Sequence, residues 1–233
     1  MNIKKSAKLI LFSLTIFALS SIDVNSTTSQ NNSLDRQAQY HLSDNNYIRA
    51  FELYEQGNTF YRNRELLQAI SSYDEATKIN PDFDLAYAAQ GWAFRELGDL
   101  PKALNAFEQA IEINPDSYRY WDGKGNILYY LGRFEESLEA YDRSLEINPQ
   151  ASRSWSGKGW ALSRLNDYEE AISAFDRAIE IYRDAPNYWV GKGSVLYIIE
   201  DYQEASFAFN QALQLQPNNE SAIRHLRLIE QKL

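Results

Sequence analysis

Large apolar residues recur at helical spacing along most of this chain. Between Ser152 and Arg183, Trp155, Gly159, Leu162 and Leu165 are spaced 4-3-3 and share one helix face. Asn166-Asp167 breaks the pattern. Tyr168, Ala171, Phe175, Ala178 and Ile181 resume it at 3-4-3-3. The spacing predicts a helix, a tight turn and an antiparallel helix. The unit then repeats every 34 residues. Gly57, Gly91, Gly125, Gly159 and Gly193 fall in one column, and Trp121, Trp155 and Trp189 in another. Small residues recur at Ala69, Ala103, Ser137, Ala171 and Ala205, and again at Ala76, Ala110, Ser144, Ala178 and Ala212. Tyr73, Phe107, Tyr141, Phe175 and Phe209 form an aromatic column. The small columns predict close helix approach, with the aromatic filling the space beside them. Asn80-Pro81, Asn114-Pro115 and Asn148-Pro149 end second helices, because proline disfavours helical geometry in the residue before it.

The ends of the chain read differently. Lys4, Lys5 and Lys8 precede an uncharged run, 9–22, whose apolar heart is Leu9–Leu19. This is the pattern of a secretory signal, and Ala18-Leu19-Ser20 places cleavage after Ser20. The expectation is a signal peptide over 1–20 and an exported protein in a periplasmic, lumenal or secreted compartment. The alternative is a membrane anchor over 9–22, and membrane contact is expected only if this segment stays uncleaved. Residues 21–46 are polar and read as a disordered linker. The repeats occupy 47–219. Residues 220–233 carry Ala222, Leu226 and Ile229 on one face and read as a polar-faced capping helix.

Composition narrows the chemistry. With 14% aromatic residues the chain is not disordered as a whole. The formal charge of −9 becomes −12 without the three lysines of residues 1–20, which argues against nucleic acid as a partner. There is no cysteine, so disulfides, thiolate nucleophiles and Cys-ligated metals are excluded. The two histidines, His41 and His225, are remote in sequence.

These columns resemble the tetratricopeptide repeat family. Counted from Ala50, Asp84, Tyr118, Ser152 and Pro186, there are five repeats (50–83, 84–117, 118–151, 152–185, 186–219). Position 4 reads Leu53, Tyr87, Trp121, Trp155, Trp189, position 8 is always Gly, and position 11 reads Phe60, Phe94, Leu128, Leu162, Leu196. The departures are Lys124, Lys158 and Lys192 at the usually apolar position 7, Arg183 in place of the closing proline, and Asn63-Arg64 in the first turn. The resemblance implies an all-α fold, an α-solenoid of five helix-turn-helix repeats with a C-terminal capping helix.

No catalytic, cofactor or metal site is expected. Trp-x-Gly-Lys-Gly occurs three times, but the Lys is followed by Gly inside a helix, unlike a phosphate loop. Glu135-Glu136 and Glu169-Glu170 suit helix N-termini instead of acid–base work. In the family, first helices line a concave groove through positions 2, 5, 9, 12 and 13. By resemblance that face holds Tyr54, Asn58, Tyr61, Arg62, Trp92, Arg95, Arg119, Asn126, Tyr129, Tyr130, Arg153, Trp160, Arg164 and Tyr197. It carries five Arg against Glu96 and Asp122, a local +3 on an acidic chain. Tyr, Trp and Arg are the residue types of binding hot spots, and Trp92 and Trp160 sit where the core is expected not to need them. The carboxylate clamp by which some family members hold chaperone tails is not retained: its positions hold Tyr54, Asn58, Ala89, Arg119 and Gly123. The expected function is a non-catalytic module whose groove binds a protein or peptide segment with acidic and apolar side chains. The alternatives are a self-associating assembly protein and an accessory subunit of an envelope enzyme complex.

Overall fold

A computed structural model describes residues 29–232. The expected signal peptide, residues 21–28 of the expected linker and Leu233 lie outside the described residues. The chain divides into two units, Met1–Asn45 and Asn46–Leu233. In the first, the described structure is the leading part of one helix.

Eleven helices and no strand are found among the described residues. They are α1 (Ser29–Arg62), α2 (Leu66–Ile79), α3 (Asp84–Leu97), α4 (Leu100–Ile113), α5 (Tyr118–Tyr130) and α6 (Phe134–Ile147). Then follow α7 (Ser152–Leu165), α8 (Tyr168–Ile181), α9 (Pro186–Ile198), α10 (Tyr202–Leu215) and α11 (Glu220–Glu230). The linker expectation is corrected from Ser29 onward, where the chain is helical. Polar composition suggested a tether, but no Gly or Pro interrupts residues 29–56. Extending a helix already packed at its C-terminal end costs far less than nucleating one.

First and second helices of each repeat pair antiparallel, and α11 packs on α9 and α10 as one more first helix. Successive first helices touch, as α3–α5, α5–α7, α7–α9 and α9–α11 do. Among the described residues no two second helices touch. The stack therefore bends with its first helices on the inner side.

One aromatic ring organises each junction. Tyr73, Phe107, Tyr141, Phe175 and Phe209 are all buried. Each faces a glycine of its own first helix. A Cβ on Gly91 would stand 2.7 Å from the Phe107 ring, and one on Gly57 2.5 Å from Tyr73. The next repeat presses a second glycine against the other side. A Cβ on Gly123 would meet Phe107 at 2.3 Å, on Gly157 Tyr141 at 2.2 Å, and on Gly191 Phe175 at 2.3 Å. Ala89 holds this place against the first repeat. In α11 the place belongs to His225, whose ring stacks on Phe209 with centroids 4.8 Å apart. The cap thus seals the last aromatic with a flat ring instead of a glycine.

The departures from the repeat pattern have local reasons. Lys124, Lys158 and Lys192 reach back to a carboxylate on the preceding second helix, Glu108 at 2.9 Å, Asp142 at 2.6 Å and Asp176 at 2.6 Å. Gln90 makes the equivalent bond to Asp74. Such partly exposed pairs are each worth about 0.5 kcal/mol, so they fix register more than stability. The indole N–H groups of Trp121, Trp155 and Trp189 donate to the carbonyls of Pro115, Pro149 and Arg183 (2.8, 2.9 and 3.1 Å). The acceptor is main chain, which explains why Arg183 can replace proline there. Ser137 and Ser144 stand in alanine columns because their hydroxyls donate to the Gly125 and Tyr118 carbonyls at 2.7 and 2.9 Å.

The turn inside each repeat needs one left-handed residue, at Arg64, Gly98, Gly132, Asn166 and Glu200, with φ between 64° and 87°. Side chains other than glycine pay roughly 1–2 kcal/mol for that conformation. Glu200→Gly should therefore stabilise the protein by up to about 1 kcal/mol, after the greater freedom glycine gives the unfolded chain is subtracted. Thermal denaturation reads this directly. In the same assay Gly191→Leu should destabilise by roughly 1–3 kcal/mol through overpacking. Phe175→Ala should cost roughly 3–5 kcal/mol. Parent-like melting of both would show that the ring is not held between the two helices.

Candidate binding groove

The groove is built from one residue column per helical turn of the first helices. Three adjoining cavities lie along it. The first, about 270 Å³, is bounded by α1, α3 and α5 and lined by Tyr54, Asn58, Tyr61, Leu85, Trp92 and Arg119, over the ring of Tyr73. The third-repeat side opens a second, about 390 Å³, between α5, α7 and α9. Asn126, Tyr129, Tyr130, Arg153, Ser156 and Trp160 line it above Asp122 and Tyr141. A bridging cavity of about 250 Å³ shares Trp92 and Arg119 with the first and Asp122 and Arg153 with the second.

Ten of the fourteen residues expected on the binding face thus line the two larger cavities. Arg62, Arg95, Arg164 and Tyr197 do not. Arg62 is exposed and donates to Thr59 Oγ1 at 3.2 Å. Arg95 pairs with Glu96 at 3.0 Å and lies over the rings of Trp92 (5.6 Å) and Tyr130 (5.2 Å). Arg164 lies over Phe134 at 4.8 Å. Tyr197 packs against Tyr202 and His225.

Trp92 and Trp160 differ from expectation. Each is half-buried and meets the core aromatic of its own repeat edge-on, Trp92 with Phe107 at 5.0 Å and Trp160 with Phe175 at 5.3 Å. They are wall and core together. In the first repeat Tyr replaces Phe in the core and Asn replaces Trp in the groove, and the Tyr73 hydroxyl donates to Asn58 Oδ1 at 2.9 Å. A buried phenol needs a polar partner; a phenyl ring is better covered by another ring. The third repeat has the same Asn126–Tyr141 combination. Burial holds the hydroxyls of Tyr73 and Tyr141 protonated well above the usual tyrosine range.

Asp122 is the site residue that charge counting undervalued. It is only 8% exposed. Ser154 donates to its Oδ1 at 2.9 Å, and the Arg153 guanidinium stands 3.8 Å from Oδ2. Arg153 itself is spread over Trp92 at 5.6 Å. Burial raises the Asp122 carboxyl above its ordinary pKa, while Arg153 and Ser154 pull it back down. Arg119 makes no ion pair among the described residues and lies over Tyr118 at 5.5 Å.

The tetratricopeptide repeat profile matches residues 54–118, 88–152, 123–186 and 156–220. Together these spans cover most of the chain, which belongs to the tetratricopeptide repeat family. No curated protein matches the sequence. Among solved structures, YrrB, described as a TPR protein with an unusual peptide-binding site, superposes with a TM-score of 0.61 at 21% identity. That match covers 79% of this chain and 92% of YrrB. PilF of Pseudomonas aeruginosa gives 0.70 at 18% identity over 81% of this chain and 87% of its own. MamA of Desulfovibrio magneticus RS-1 gives 0.65 at 17% identity over 74% and 97%. At these identities the likeness is one of fold.

The raised Asp122 pKa fixes the sign of a pH effect. The folded protein holds this proton more tightly than the unfolded chain, so burial of the charge destabilises above the folded pKa and not below the unfolded one, about 3.9. Asp122→Asn keeps the Ser154 hydrogen bond and removes the charge. Its melting temperature should exceed the parent's at neutral pH, and the difference should shrink toward zero on acidification to about pH 4. A constant difference across that range would show that Asp122 is not desolvated.

Proposed function

We propose that the first-helix groove binds an extended peptide or protein segment carrying apolar and acidic side chains, and that the protein acts as an interaction module without catalysis of its own. The observation that carries this is the continuity of three cavities along one face, walled by Tyr and Trp. Arg119 stands between two of them without a carboxylate partner. Aromatic walls supply rigid apolar contact area, and an unpaired guanidinium takes a carboxylate through two parallel hydrogen bonds. The relation to YrrB, with its peptide-binding site, is consistent with this use of the fold. The Lys-rich start and the apolar run Leu9–Leu19 support placing the module in an exported compartment. An N-terminus near Ser21 on the native protein, read by mass spectrometry, would agree with export; an intact Met1 on a soluble protein inside the cell would refute it.

Arg119→Glu should weaken capture of the native partner by roughly tenfold or more, the worth of a charge-assisted hydrogen bond. Melting should be unchanged. The convex-face control is Arg177→Glu, which loses only its pair with Glu180 on its own helix and should leave capture intact. Pull-down from the native extract with quantified bound partner decides the matter. Loss in the control and retention in the groove variant would place binding on the other face.

A further inference from the structure

The two larger cavities are copies of one site. All ten residues lining the first recur in the second, each shifted by 68 positions, which is two repeats. Five of the pairs are identical, Asn58/Asn126, Tyr61/Tyr129 and Trp92/Trp160 among them. The working period of the groove is therefore two repeats, although the fold's period is one. Over the first four repeats Asn and Trp alternate along the groove as Tyr and Phe alternate beneath them; the fifth has Ser194 over Phe209.

The pairs that differ give the two sockets opposite chemistry. Tyr54, Leu85 and Arg119 of the first become Asp122, Arg153 and Asn187 in the second. The first socket has apolar walls and one guanidinium without an ion-pair partner. The second has a buried carboxylate whose Oδ2, among the described residues, meets Arg153 alone, at 3.8 Å. The Arg153 side chain is 71% exposed and can swing into solvent. A lysine ammonium brings three donors and a compensating charge.

We propose that the groove reads one extended segment at two points: the first socket takes an apolar side chain next to a carboxylate, and the second takes a lysine. This rests on the groove-binding reading above and adds the ligand's charge order and spacing. Packed helices stand about 8–10 Å apart, so sockets two repeats apart are separated by about 20 Å. An extended chain covers that in about six residues.

The test uses the full chain and fluorescently labelled probes in which a Leu-Glu pair and a Lys are separated by one to nine Gly/Ser residues. Fluorescence anisotropy should give the tightest binding with the anchors about six residues apart. Replacing Lys by norleucine in the best probe should cost at least tenfold on the parent and nothing on Asp122→Asn, a near-isosteric variant that keeps the Ser154 contact. A second variant, Asp122→Tyr with Arg153→Leu and Asn187→Arg, rebuilds the first socket in the place of the second. It should prefer a probe with Leu-Glu at both ends. Should it fail to fold, the Asp122→Asn comparison decides alone. Affinity independent of spacing, or an equal norleucine penalty on parent and Asp122→Asn, would overturn the two-socket proposal while leaving groove binding standing. Failure of every probe, at every spacing, to bind would remove the groove reading and this one with it.

Discussion

Each repeat junction depends on an aromatic ring held between two helices that have given up their side chains to admit it. The glycine of the ring's own repeat and the glycine of the next leave only the thickness of the ring between backbones. Packing of this kind is intolerant of added volume and equally of lost volume. It also sets the distance between successive first helices and hence the bend of the stack. The chain ends obey the same constraint with different solutions. Ala89 packs against the Tyr73 cluster where the later junctions have glycine, and His225 covers Phe209 with a stacked imidazole. Because each repeat contacts only its neighbours, the constraint is local and repeats five times without long-range pairing.

The same ring couples core to groove. Its outer edge reaches the inner surface of the stack, so in the first four repeats the choice between Phe and Tyr in the core goes with the residue that stands above it. Phe107 and Phe175 are closed by an edge-on Trp; Tyr73 donates to an Asn. A single hydroxyl deep in the repeat thereby changes the binding surface from indole to amide. Groove chemistry and core chemistry in this protein are not independent, and a substitution in one column calls for a matching one in the other.

This coupling also marks how far the sequence could be read. The 34-residue columns place every helix pair of 50–219, and the left-handed turn residue recurs on the same period even where glycine does not (Arg64, Asn166, Glu200). A one-repeat alignment treats Tyr and Phe as equivalent core aromatics, and this hides the two-repeat alternation of the groove. The helical span 29–46 was not legible because polar residues without a breaker fit a tether and a helix equally well. The engagement of Arg95 and Arg153 by rings and carboxylates was not legible either. It depends on how far long side chains reach across neighbouring repeats, which residue type and position do not state.

Charge on the inner face consequently counts for less than its arithmetic suggests, and its placement counts for more. Of the five arginines expected to draw an acidic partner, Arg95 is tied to Glu96 and two rings, Arg164 covers Phe134, and Arg153 stands by Asp122. These guanidiniums stiffen walls and partly neutralise buried acid, so little of their field is free for a ligand. Arg119 differs: it lines the first socket, makes no ion pair among the described residues and lies over Tyr118. Asp122 differs in the opposite sense, as a desolvated acid with a loose partner. A surface that is positive by count becomes a face with an open cation, Arg119, in the first socket and, further along the stack, an under-satisfied anion, Asp122. On the two-socket proposal, such a face would discriminate by the order of charges along a segment rather than by net charge, and a uniformly acidic chain would meet it well at only one end.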